Sequence, residues 1–106
     1  MKKLLIANWK MYLSLNQSKV LVSKIMDLYT KQKIKSNLVI CPSYPALSVI
    51  QKLIKKHSRS IKLGSQDISG EDLGAYTSQV SIKMLAELGG QYIIIGHSEC
   101  RHYLGQ

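Results

Sequence analysis

Short apolar runs alternate with longer amphipathic stretches along the chain. Leu4 to Ala7 is apolar and gives way to Asn8-Trp9-Lys10. Ser14 followed three residues later by Gln17 has the form of a capping box. Beyond it Leu21, Ile25 and Leu28 fall at i, i+4 and i+7, and Val22, Met26 and Tyr29 repeat that spacing. The spacing predicts a helix with one broad apolar face, reaching about Lys33. Leu38 to Cys41 is the next apolar run, stopped by Pro42. Ser43 is placed to cap a second helix that tolerates Pro45 in its first turn. Leu47, Ile50 and Ile54 form that helix's apolar stripe, and Lys52, Lys55 and Lys56 its wet side. Ile61 to Ser65 reads as a third strand. Gln66 to Thr77, with Gly70 and Gly74, reads as a loop. Gln79 to Leu88 reads as a third helix, ended by Gly89-Gly90. Gln91 to Ile95 reads as a fourth strand.

This alternation of strand and helix predicts a parallel sheet with right-handed crossovers. The strands are apolar almost throughout, as expected when both faces are covered. In such sheets chemistry gathers beyond the C-terminal ends of the strands. Polar clusters stand there: Asn8-Trp9-Lys10, Gln66-Asp67 and His97-Ser98-Glu99.

The 106 residues suffice for one small domain, and a hydrophobic content of 45% supports a packed core. No run approaches the roughly 18 apolar residues of a membrane span. The opening "MKKLLIANWK" has a leader's two lysines, but its apolar part is too short. A cytoplasmic protein without a membrane partner is expected. Cys41 and Cys100 have neither metal-ligand spacing nor disulfide density, and His57, His97 and His102 add few ligands, so neither metal nor cofactor is expected. The net charge of +9 suits an anionic partner. Its lysines are dispersed, however, and no base-stacking platform or base-reading motif is present, so no nucleic-acid partner is expected. The same field favours a phosphorylated small substrate.

Lys10, at a strand tip, can face a phosphate or polarise a carbonyl, although a single lysine there is more commonly a surface residue. His97 precedes a helix start, where backbone N–H groups disfavour a protonated ring and leave a neutral imidazole able to donate to an oxyanion. Glu99 can pair with a lysine or cap the helix. A curved sheet would bring the tips of the first and fourth strands to one face. Asn8, Lys10, His97 and Glu99 together suit carbonyl chemistry through a carbanion or enediolate, which needs electrophilic donors and a base.

"ANWKM", "CPSYPAL", "GAYTSQVS" and "YIIIGHSECR" resemble, in order and spacing, the triosephosphate isomerase family. That family is a standard example of a neutral histidine electrophile. The resemblance covers essentially the whole chain. It implies an α/β fold, the first four strands and three helices of a (β/α)₈ barrel. It also implies an isomerase of glycolysis and gluconeogenesis that interconverts dihydroxyacetone phosphate and D-glyceraldehyde 3-phosphate. Carried onto matching positions, it makes Asn8 and Lys10 substrate-binding and His97 the electrophile, with Glu99 holding Lys10. Thr77 and Met11 would lie at the subunit interface of a homodimer. Cys100 stands where the family usually places an arginine, Tyr12 where asparagine is frequent, and Ser78-Gln79 in place of Gly-Glu.

A barrel of this family needs about 250 residues. Residues 1–106 are accordingly expected to be its N-terminal part. The base glutamate after the sixth strand and the phosphate-gripping loops have no counterpart here. An isolated chain is expected to lack turnover and to expose strands one and four as open edges. The alternative is a non-enzymatic half-barrel that self-associates or complements a C-terminal half.

Overall fold

A computed structural model of the chain describes residues 3–57 and 60–106, leaving aside the side chain of His57. Lys2, the first of the two leader-like lysines, lies outside the described residues. The apolar runs form parallel strands β1 (Leu4–Asn8), β2 (Asn37–Cys41), β3 (Ile61–Ser65) and β4 (Tyr92–Ile93). Their order in the sheet is their order in the chain, β1-β2-β3-β4. Helices α1 (Leu15–Lys31), α2 (Leu47–His57) and α3 (Ile82–Glu87) lie between successive strands, and α4 (Ser98–Tyr103) follows the last.

The capping box that starts α1 is complete. Ser14 Oγ accepts from the Gln17 N–H at 3.2 Å, and the Gln17 side-chain oxygen accepts from the Ser14 N–H at 2.9 Å. Val22 and Met26 carry the buried face of α1, whereas Leu28 stays half exposed. Ser18 is buried on that face because its hydroxyl donates to the Ser14 carbonyl at 2.8 Å. Pro45 sits in a 3₁₀ turn (Tyr44–Ala46) that leads into α2. Ser43 opens this turn with its carbonyl, which accepts from the Ala46 N–H at 3.0 Å, and not with its side chain as expected.

The core lies between the sheet and α1 and α2. Leu38, Ile40, Ile61 and Leu63 face Val22, Leu47, Ile50 and Ile54 there. Side chains alternate across a strand, so Val39 and Cys41 point the other way, yet both are fully buried. Gly64 on β3 makes this possible. A Cβ at that position would lie 2.7 Å from Cys41 Sγ and 2.8 Å from Val39 Cγ1. Among the described residues, no helix is long and apolar enough to cross a membrane.

Two elements are shorter than their patterns predict. Helix α3 begins at Ile82 and not at Gln79, because the preceding residues are held elsewhere. The Gln79 N–H donates to the Tyr76 carbonyl at 3.1 Å, and the Val80 carbonyl accepts from the Ser69 N–H at 2.8 Å. Ser81 then caps the helix by accepting from the Met84 N–H at 3.2 Å. The apolar run Gln91–Ile95 pairs as a strand only over Tyr92–Ile93. Its partner β3 ends at Ser65, whose carbonyl takes a last bond from the Ile94 N–H at 3.0 Å. Ile95 is 79% exposed, and Gly96, at φ +69, turns the chain into α4.

Candidate functional site

The site is built on the C-terminal ends of the strands. Beyond β1 the chain turns sharply, with Lys10 at φ +50 and its N–H donating to Asn8 Oδ1 at 3.0 Å. A lysine in this left-handed region is held there against its own preference. Gln66, just past β3, supplies the hold. Its side-chain amide donates to the Lys10 carbonyl at 2.7 Å and to the Cys41 carbonyl at 3.0 Å. One residue thus ties together the tips of β1, β2 and β3.

The Lys10 ammonium pairs with Glu99 Oε1 across 89 residues of sequence. This contact joins the two outer strands of the sheet over its end, so the sheet curls as the spacing of the clusters predicts. The other Glu99 oxygen lies 3.1 Å from His97 Nδ1, and His97 Nε2 lies 2.6 Å from the Gln66 carbonyl. Lys10, Glu99, His97 and Gln66 form one continuous chain of polar contacts.

The electrostatics follow from it. The hydrogen bond from Lys10, with help from Glu99's own backbone N–H and from His97, pulls the Glu99 carboxyl down to about 2. Glu99 in turn raises Lys10. His97 is also raised, chiefly by its hydrogen bond to Glu99, with burial opposing and the Gln66 carbonyl adding. The helix start predicts a ring that resists protonation, and the structure differs. Both ring nitrogens face acceptors, and only imidazolium carries two N–H donors to satisfy them. Helix α4 has six residues, and His97 makes no side-chain cap bond to it. The nearby carboxylate therefore outweighs the helix end.

These groups line a cleft of about 720 Å³, walled by Asn8, Lys10, Tyr44, Gln66, His97 and Glu99. Asp67 and the buried Cys100 stand beside His97, with Cys100 Sγ 3.7 Å from Nε2. Burial, followed by Asp67 and Glu99, raises the Cys100 thiol. Asn8, Lys10, His97 and Glu99 are thus brought together as their positions at the strand tips predict. Met11 lies at the cleft's rim and is 94% exposed. Thr77 stands apart, in an exposed turn where Ser78 takes φ +73. Gln66 and Asp67, marked in the sequence only as a polar cluster after the third strand, have structural roles: Gln66 holds the strand tips, and the Asp67 carbonyl accepts from the Tyr44 hydroxyl at 2.8 Å.

The family model for triosephosphate isomerase matches residues 3–106. The triosephosphate isomerase of Trichodesmium erythraeum is 39% identical over 107 residues, covering 100% of this chain and 44% of that protein. That of Chlorobium phaeobacteroides is 40% identical over 105 residues, covering 99% of this chain and 41% of its own length. The crystal structure of triosephosphate isomerase from Bartonella henselae superposes with a TM-score of 0.78 at 28% identity, covering 99% of this chain and 42% of that one. The present chain therefore spans about two fifths of the relatives it matches. With its four parallel strands in sequential order and the curl that joins their outer tips, it belongs to the triosephosphate isomerase family, over that family's N-terminal part.

Proposed function

We propose that this chain provides the electrophile-bearing half of a triose-phosphate isomerase site, acting in the cytoplasm on dihydroxyacetone phosphate and D-glyceraldehyde 3-phosphate. The observation that carries the reading is the Lys10–Glu99–His97 chain of contacts at one strand-end cleft. Proton transfer between adjacent carbons of a triose passes through an enediolate, whose oxygens need donors as charge develops. Lys10, half exposed and fixed by Glu99, supplies a cation for the phosphate or the oxyanion. Asn8 lies beside it for substrate binding. For His97 to donate to substrate, its Nε2 must exchange the Gln66 carbonyl for a substrate oxygen. Glu99 is committed to Lys10 and His97, so it does not serve as the general base. That base and the phosphate-binding loops come from the C-terminal part of the family's barrel. Thr77 and Met11 belong to a subunit interface between two such barrels.

On this reading residues 1–106 alone do not turn over substrate. A second reading, a half-barrel that pairs with itself or with a C-terminal half, is favoured by Leu4, Leu5 and Ile6 of β1, which are 46–56% exposed. The test is a coupled isomerase assay on the purified chain, alone and co-expressed with a C-terminal half from the family. Activity is expected only in the complex, and His97→Gln should abolish it. A complex that co-purifies yet stays inactive with native His97 would count against the enzymatic reading and leave the pairing reading standing.

A further inference from the structure

One group of side chains has a chemistry that the isomerase reading does not use. Asp67 follows β3, His97 precedes α4, and Cys100 lies in α4. Their ligand-type atoms all lie within 4.8 Å of one another. Two of the three are set close to a metal-site separation. Bonds of about 2.0–2.1 Å to nitrogen and 2.3 Å to sulfur, at a tetrahedral angle, place the two ligand atoms about 3.6 Å apart. His97 Nε2 and Cys100 Sγ are 3.7 Å apart.

The support around the histidine has the matching form. A metal-bound imidazole characteristically donates its other N–H to a carboxylate, which fixes the tautomer and the plane of the ring. His97 Nδ1 lies 3.1 Å from Glu99 Oε2, and Glu99 is itself anchored by Lys10. This arrangement favours a proton on Nδ1 and leaves Nε2, which also lies against the Gln66 carbonyl, 3.7 Å from Cys100 Sγ. The site also has access: the His97 side chain is partly exposed, and all three residues line the cleft.

We propose that Asp67, His97 and Cys100 form a binding site for a thiophilic divalent cation of the zinc class, with Glu99 as the carboxylate behind the histidine. The cation displaces the thiol proton of Cys100 and any proton on His97 Nε2, both of which pass to solvent. Nε2 exchanges its contact with the Gln66 carbonyl for the metal, and Asp67 contributes one oxygen. Three protein ligands leave a fourth position for water. Thiolate and imidazole together select zinc or cobalt over magnesium or calcium, which prefer all-oxygen sites. The site depends on Cys100 as its thiolate ligand. It stands on this geometry independently of isomerase activity, although metal on Nε2 and substrate at Nε2 exclude one another.

The probe is Co²⁺ added to the reduced 106-residue chain, followed by absorption. A thiolate-to-cobalt band in the near ultraviolet and visible bands of a four-coordinate site are expected at one equivalent, and Zn²⁺ should displace them. Cys100→Ser should lose the thiolate band, whereas Cys41→Ser should keep it. Glu99→Gln should weaken Zn²⁺ binding by about 10–100-fold. A parallel measurement needs no variant: Zn²⁺ should slow alkylation of Cys100 by about tenfold, read by mass spectrometry, and chelator should reverse it. Absence of the band, its survival in Cys100→Ser, or alkylation of Cys100 indifferent to Zn²⁺ would each overturn the proposal.

Discussion

Strands β1 and β2 lie side by side in full register, from Leu4 opposite Asn37 to Asn8 opposite Cys41. Their sequences, LLIAN and NLVIC, are nearly equal in apolar content, yet their surroundings are opposite. Four of the five β2 residues are buried, whereas Leu4, Leu5 and Ile6 of β1 are exposed. Strand β2 has a partner on each side, helices over one face and close packing at Gly64 on the other. Among the described residues, strand β1 has a strand partner on one side only. An apolar run thus records that a strand is made to be covered, without recording what covers it. On the reading proposed above, the cover for β1 is the remainder of a barrel.

The largest test of this contrast compares truncations on the two strands. Ile40→Ala in the core should lower stability by about 2–5 kcal/mol. Ile6→Ala, at an exposed position, should lower it by less than about 1 kcal/mol. Urea unfolding of both variants measures the difference, and equal losses would mean that β1 is already covered, by self-association for example. Measured again in a complex with a C-terminal half, the Ile6→Ala loss should grow towards the core value.

The buried side of β2 admits a subtler probe. Gly64→Ala places a methyl group against Cys41 and Val39, and overpacking of this kind costs about 1–3 kcal/mol. The unfolding midpoint should fall without a change in the strand registers seen by NMR. A variant as stable as the parent would show that the inner face is loose and resembles β1.

Beyond the strands the expected sign reverses. Ser78 takes φ +73 in the third loop, a conformation that disfavours a residue with a Cβ by about 1–2 kcal/mol. Ser78→Gly should therefore raise the thermal midpoint, with a gain of about 1 kcal/mol. No gain would mean that this loop relaxes freely in solution, unlike the sheet it follows.

The smallest global effect is expected at the cleft. His97 is raised above its ordinary value, so the stabilisation from its charged form is present at pH below that value and lost as pH rises through the raised one. Glu99, held at about 2, contributes above the ordinary glutamate range and loses its contribution as pH falls towards 2. Both side chains of the Lys10–Glu99 pair are substantially exposed, so the effect on stability is modest. The local readout is sharper: NMR titration should place His97 above the usual histidine range, and Glu99→Gln should bring it down. An unchanged titration would remove Glu99 as the cause.

The alternation of strands and helices was legible in the sequence because each apolar run is bounded by polar residues, and Ser14 with Gln17 signals the start of α1. The run at Gln91–Ile95 is a different case. It has the composition of a longer strand, but pairing ends where β3 ends, and a neighbour's length is invisible locally. The start of α3 is likewise set by the bonds of Gln79 and Val80 to a loop. At the site, Lys10 and His97 are legible as polar residues at strand tips, and the pairing of Lys10 with Glu99 through the family resemblance. The charge state of His97 is not, because it is set chiefly by how the fold turns the Glu99 carboxylate onto one ring nitrogen, with the Gln66 carbonyl adding at the other. The meeting of Asp67 and Cys100 with His97 is hidden because it depends on how the strand tips come together in space: no sequence spacing joins the three as a ligand set.

The sequential order of the strands also bears on how the chain is made. A ribosome releases the chain from its N-terminus, and each new strand can dock on the one that emerged before it, with no need to wait for distant sequence. The growing sheet therefore advances at one edge only. Of these four strands β1 leaves the ribosome first, and its outer edge is left open by the docking of the other three in this order. Its three exposed apolar side chains thus stay uncovered throughout the assembly of this sheet.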